Sequence, residues 1–212
     1  GDMLGERGMW FKMSFFEGSS RVPLMMAIPG DAGGAVTAPV SNLDIAPTMA
    51  DLAGVSMDDI APWTDGESLV PLTKGGERTS PVLMEYAAEG SYAPLVSIRE
   101  GKFKFNHCEL DPPQLFDLES DPLERDNLAD KPDFADQVAD YMARVRERWD
   151  MAAYDAEVRQ SQARRWVVYE ALRNGSYYPW DFQPLQRASE RYMRNHMDLN
   201  VLEENKRFPR GE

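Results

Sequence analysis

The sequence predicts an α/β protein in which a layered α/β portion is followed by a small antiparallel sheet, a packing helix and a C-terminal extension. Three observations carry this. Val22-Pro23-Leu24-Met25-Met26-Ala27-Ile28 is an apolar run closed by Pro29-Gly30, the pattern of a strand buried on both faces. Val82–Tyr86, Leu95–Arg99, Lys102–Asn106 and Gln114–Leu118 are four strand-like runs in succession. Phe134, Val138, Tyr141, Val145 and Trp149 recur at spacings of three and four, the apolar stripe of a helix.

Residues 1–20 read as a loop, with glycines at 1, 5, 8 and 18 among charged and aromatic side chains. In the run that follows, Pro23 stands at the strand's start, where a missing N–H is tolerated. Ser41-Asn42-Leu43-Asp44 offers capping side chains for a helix that carries Ile45, Met49 and Leu52 on one face and stops at Gly54. Residues 56–80, rich in Gly, Asp and Pro, read as a long surface connection. Glu100-Gly101 is a tight-turn signal, and Lys102-Phe103-Lys104-Phe105 alternates as in a sheet with one wet face. Pro132 opens the helix that bears the stripe. A second helical stretch, about 152–173, ends at Asn174-Gly175. The last residues hold Tyr177, Tyr178, Trp180, Phe182, Tyr192 and Phe208, too many aromatics for a disordered tail, so they are expected to dock. The domain reading is 1–75, 76–150 and 151–212.

The 212 residues carry a net charge of -13, from 36 acidic and 23 basic side chains. That balance repels nucleic acid and anionic membrane surfaces and excludes both as partners. No apolar run reaches the roughly twenty residues that span a bilayer. The single cysteine, Cys108, cannot form an internal disulfide and reads as a small, partly buried hydrophobe. These features suit a cytoplasmic setting, with a periplasmic one as the alternative. The start at Gly1-Asp2, without methionine, reads as the beginning of a piece of a longer chain.

The N-terminal segment holds most of the chemistry. Lys12, in Trp10-Phe11-Lys12, supplies a point charge and three donors for an anionic oxygen. Arg7 and Arg21 offer bidentate donors, and Asp2, Glu6 and Glu17 could accept protons or bind a hard cation. The plain alternative for each is an ion pair that fixes a loop, and composition alone favours it.

Gly1-Asp2-Met3-Leu4-Gly5-Glu6-Arg7-Gly8-Met9-Trp10-Phe11-Lys12, then Glu17 and Arg21-Val22-Pro23-Leu24, resembles the segment after the metal-binding Asp-His pair of the sulfatases, in the alkaline phosphatase superfamily. Asn42-Leu43-Asp44-Ile45-Ala46-Pro47-Thr48 resembles that family's Asp-x-x-Pro-Thr helix start. Gln114-Leu115-Phe116-Asp117-Leu118, with Asp121-Pro122, Glu124 and Asn127-Leu128-Ala129, resembles its C-terminal sheet signature, whose acids and asparagine shape turns and caps. Lys12-Met13-Ser14-Phe15-Phe16-Glu17 and the aromatic, arginine-rich extension past residue 150 are similar to choline sulfatases.

The resemblance implies the C-terminal part of an alkaline-phosphatase-like α/β sandwich plus a small four-stranded antiparallel sheet. It implies a sulfuric ester hydrolase acting on choline O-sulfate, with other sulfatases, phosphonate monoester hydrolases or a non-catalytic assembly module as rivals. It implies a formylglycine and a divalent cation, calcium in most members, both held by an N-terminal segment outside this chain; no metal ligand is assigned here. Lys12 matches the family lysine that contacts the sulfate and helps the leaving oxygen depart, so it is the catalytic residue expected here. Choline's quaternary ammonium needs aromatic faces and carboxylates. Glu89, and Asp198 reaching from the tail into a neighbouring subunit, are the substrate-binding candidates. His107 and His196 read as structural, and Tyr177-Tyr178-Pro179-Trp180 as part of a homo-oligomer contact.

Overall fold

The computed structural model describes residues 1–31, 33–88 and 90–175, with the Arg173 side chain excepted. The chain divides into two units, Gly1–Asp155 and Ala156–Glu212. The elements of the first unit, in order, are β1 (Met3–Leu4), β2 (Trp10–Phe11), α1 (Glu17–Ser20), α2 (Ile45–Leu52), α3 (Met57–Ile60), α4 (Val70–Thr73), β3 (Val82–Tyr86), β4 (Leu95–Glu100), β5 (Phe103–Cys108), β6 (Asp111–Asp117) and α5 (Ala135–Arg148). The helix α6 (Met151–Arg173) begins in the first unit.

The four predicted strands form one antiparallel sheet in sequential order, β3-β4-β5-β6. Glu100 pairs with Phe103 across a two-residue turn in which Gly101 takes φ 52, a left-handed conformation that favours glycine. Strand alternation sends Val96, Ile98, Phe105 and Leu115 to one face. That face meets Tyr141 and Val145 of α5, together with Leu128, Trp149 and Met151, and this is the core. The Phe105 and Tyr141 rings stack with centroids 5.2 Å apart and 6° between planes. The stripe read from the sequence therefore packs on the sheet as expected. Helix α5 carries Asp136 in its first turn and Arg146 and Arg148 in its last, charges that complement the helix dipole.

The opposite face of the sheet is not wet. Lys104 is fully buried, and Ser97 Oγ donates to Asn106 Oδ1 (2.7 Å) while Asn106 Nδ2 donates to Gln114 Oε1 (3.2 Å), a polar ladder across three strands. Phe116 lies on this face against Phe16, with ring centroids 6.2 Å apart. The expected solvated lysine face is covered by the N-terminal segment, which packs onto the sheet from far away in sequence.

Two further expectations change. Val22–Ile28 runs without regular secondary structure and is exposed; Met25 is 91% accessible. A buried strand takes its hydrogen bonds and its burial from neighbours, and none of the described strands lies beside it. Helix α2 forms where predicted and Gly54 turns the chain after it with φ 72, but Ile45, Met49 and Leu52 face outward while Pro47, Thr48 and Ala50 are buried. The connection 56–80 holds the short helices α3 and α4 and buries Leu69 and Leu72.

A buried ion pair fixes α2. Ser41 and Asp44 form a reciprocal cap, with Ser41 N–H donating to Asp44 Oδ2 (2.7 Å) and Leu43 N–H to Ser41 Oγ (3.2 Å). Arg78 grips the same carboxylate bidentately, at 2.6 and 3.3 Å, and lies 3.0 Å from Glu67. Glu67 N–H donates to Asp44 Oδ1 (3.0 Å). At Gly66 a Cβ would stand 2.1 Å from Leu43 O, so only glycine passes.

Candidate functional site: the Lys12 hairpin

The strands β1 and β2 pair antiparallel, Met3 with Phe11 and Leu4 with Trp10. Their connection, Gly5 to Met9, is closed by Leu4 N–H donating to Glu6 Oε2 (2.5 Å) and Gly5 N–H to Met9 O (3.0 Å). The first of these holds the Glu6 carboxyl below its usual range. Arg7 has φ 56; its guanidinium lies 4.0 Å from the Phe16 ring centroid and donates to Leu123 O at 3.3 Å. Two of the candidate charges are thereby committed to holding the hairpin.

Lys12 emerges at the end of this hairpin. It is flanked by Phe11 at φ 67 and Met13 at φ 28, left-handed conformations that non-glycine residues seldom adopt. Ser19 Oγ donates to Lys12 O (2.8 Å), which fixes the backbone at the strained point. The side chain itself is 75% accessible, and among the described residues its ammonium pairs only with Asp2, at 3.7 Å. The result is a weakly paired cation presented from a tightly held backbone. Such a group can meet an anionic oxygen at little cost in desolvated charge.

Glu17, a candidate proton acceptor or cation ligand, is occupied instead. Its Oε1 accepts from Lys104 Nζ (2.7 Å) and its backbone N–H donates to Glu124 Oε2 (2.7 Å). Arg21 is exposed. Among the described residues no group of three or more His, Cys, Asp and Glu could hold a metal ion. Cys108 is buried in β5. His107 is also buried, with Nε2 3.1 Å from Glu109 Oε1. Glu89 and Asp198 lie outside the described residues, as do His196 and the aromatic stretch 177–180.

The sheet signature is structural, as its chemistry suggested. Asn127 Oδ1 accepts from Leu115 N–H (2.9 Å) and Ala129 N–H (3.1 Å), while its Nδ2 donates to Pro113 O (3.2 Å). Asp121 Oδ2 accepts from Asp126 N–H (2.8 Å). Glu124 departs from this pattern, since it reaches the N-terminal segment. Sequence reasoning missed both Glu124 and Lys104. The only local signal was Glu124's place in the Asp-Pro-x-Glu turn.

Comparison with known proteins agrees with this geometry. The family model described as N-sulphoglucosamine sulphohydrolase, C-terminal, matches residues 5–150, and that described as choline sulfatase enzyme C terminal matches residues 156–208. The chain is 68% identical over its whole length to a choline-sulfatase of Rhizobium meliloti (strain 1021), of which it covers 42%. It is 34% identical to arylsulfatase K of Homo sapiens over 62% of this chain and 26% of that protein. A putative sulfatase from Bacteroides thetaiotaomicron superposes with a TM-score of 0.58 at 29% identity, over 69% of this chain and 33% of the other. The chain thus spans less than half the length of the relatives it matches. The four-stranded sheet and its packing helix fall within the matched span, as does the hairpin from Gly5 onward, and the chain belongs to the sulfatase family.

Proposed function

We propose that this chain is the C-terminal part of a sulfuric ester hydrolase that converts choline O-sulfate and water to choline and sulfate. The observation that carries the reading is the 68% identity to a choline-sulfatase along the entire chain, the Lys12 hairpin included. On this reading residues 1–75 complete the large α/β domain, 76–150 form the small subdomain, and 151–212 form an oligomerising tail.

An N-terminal segment outside this chain would hold the formylglycine and the divalent cation, calcium by family habit, which together supply the nucleophilic oxygen and a Lewis acid. Lys12 directs its ammonium to the sulfate and stabilises the negative charge that develops on the leaving oxygen. Its exposure and loose pairing with Asp2 leave it available for that contact. Glu89 and Asp198 provide carboxylates for the quaternary ammonium, Asp198 from a neighbouring subunit in a homo-oligomer. A small cation suits the acidic balance of the chain. Among the described residues no helix is long and apolar enough to cross a membrane, and a cytoplasmic enzyme is the location proposed.

The test is a substrate comparison on the full-length protein, with choline O-sulfate, p-nitrophenyl sulfate and an aryl phosphonate monoester. Choline O-sulfate is expected to give the highest kcat/KM. Preference for either of the others overturns the substrate. No hydrolysis of any, in protein shown by mass spectrometry to carry formylglycine, overturns the enzyme and favours an assembly module.

A further inference from the structure

Lys104 projects from the middle of β5 into the interior with no accessible surface. Three oxygens surround its ammonium: it donates to Phe15 O at 2.6 Å and to Glu17 Oε1 at 2.7 Å, and Glu124 Oε1 lies 2.8 Å away as a close ion pair. Glu124 is itself only 2% accessible and occupies φ 55, and its second oxygen accepts from Glu17 N–H at 2.7 Å. One ammonium thus faces two carboxylates. Burial pushes the half-buried Arg99 guanidinium down from its ordinary value, and the Glu17 and Glu124 carboxylates oppose that shift.

An ion network buried this deeply is a poor source of stability, because desolvating the charges offsets most of their attraction. Apolar side chains of similar volume would hold loop and sheet together about as well. What the charges add is direction: every contact ends at a defined oxygen or N–H. Three of these four contacts fall on Phe15 and Glu17, three and five residues beyond Lys12, and the fourth joins Lys104 to Glu124. From the other side, Ser19 Oγ and Ser20 Oγ donate to the carbonyls of Lys12 and Phe15 at 2.8 and 2.9 Å. Among the described residues the Lys12 side chain has only the 3.7 Å approach of Asp2 to hold it. Its place is therefore set through the backbone, which Lys104 and Glu124 hold from the sheet and Ser19 and Ser20 from α1.

We infer that Lys104 and Glu124 are positioning residues for sulfate ester cleavage, fixing through Phe15 and Glu17 the loop that presents Lys12. The inference rests on the reading of Lys12 as the sulfate-facing cation. A displacement of about 1 Å at such a contact is enough to lower turnover about 10²-fold.

The experiment is a double-mutant cycle in the full-length enzyme, with kcat and KM measured on choline O-sulfate. Lys104→Met is expected to lower kcat about 10²-fold, with a smaller change in KM. In the Lys12→Ala background the same substitution should lower kcat further by less than about threefold, because the group it positions is gone. A folded Lys104→Met enzyme with unchanged kcat overturns the inference. So does a loss of equal size in both backgrounds, which is what a purely structural role produces. Where Lys104→Met does not accumulate as folded protein, Glu124→Gln runs the same cycle under the same criteria. Lys12→Ala with undiminished kcat is a separate outcome: it removes the reading of Lys12 itself, and the inference with it.

Discussion

Removing Arg78 leaves a buried carboxylate without its cation. The Asp44 side chain is fully buried and that of Arg78 is 5% accessible, and two guanidinium nitrogens reach the two carboxylate oxygens at 2.6 and 3.3 Å. In Arg78→Ala, Asp44 keeps the backbone donors of Ser41 and Glu67, but its charge has no partner. Breaking a buried pair from one side costs about 3–5 kcal/mol. At 1.36 kcal/mol per tenfold, that corresponds to about 10²- to nearly 10⁴-fold in the local opening equilibrium. Native-state hydrogen exchange measures it directly. The amides of Glu67 and Leu69, which donate to Asp44 Oδ1 and Thr48 Oγ1, should lose protection by that factor, together with the interior amides of α2. In Asp44→Leu/Arg78→Leu most of that protection should return, since no unpaired charge remains. A loss below about tenfold in Arg78→Ala, or a double mutant as poorly protected as the single, would refute the view that the pair clamps α2.

Lys12→Ala in the full-length enzyme should lower kcat/KM on choline O-sulfate by about 3 kcal/mol, or roughly 10²-fold; a change under threefold removes Lys12 from the chemistry. Phe105→Ala vacates the centre of the core and the stack on Tyr141, at a cost of about 3–5 kcal/mol in urea unfolding; a cost below about 1 kcal/mol contradicts the packing described. The partly exposed pair Lys102–Asp117 makes a pH prediction. The 2.7 Å hydrogen bond from Lys102 holds the Asp117 carboxyl below its usual range and the Lys102 ammonium above its own. The depressed carboxyl stabilises the fold above the unfolded carboxylate pKa, and that is lost as pH falls through its folded value. The raised ammonium stabilises below the unfolded lysine pKa, and that is lost as pH rises through its folded value. The pair therefore contributes between about pH 4 and 10. In Lys102→Met the Asp117 midpoint, followed by NMR, should move up toward the ordinary carboxylate range; an unmoved midpoint rules the pair out as the cause.

The antiparallel sheet and α5 were legible in the sequence because their signals are local. Alternation in Lys102–Phe105, the Glu100-Gly101 turn and the stripe Phe134–Trp149 each report on a few consecutive residues, and the core follows from them. The Lys12 motif was legible for the same reason, since it lies within a short stretch, but residues 1–20 read as a loop and the β1–β2 pairing emerged only in the structure. By itself the sequence determined the small sheet, its packing helix and the family resemblance, and it singled out Lys12 as a candidate.

The tertiary structure decided what each face meets. Lys104 carries the same alternation as Lys102, yet one is buried and the other exposed, because Phe15 and Glu17 arrive on the sheet from 89 and 87 residues away. Asp44 reads as a helix cap, and its partner Arg78 stands 34 residues on. The apolar run Val22–Ile28 reads as a buried strand, but burial is supplied by neighbours, and the described residues leave it exposed. Periodicity states which side chains share a face. Whether that face is covered, and by which charges, is settled only where distant segments pack together.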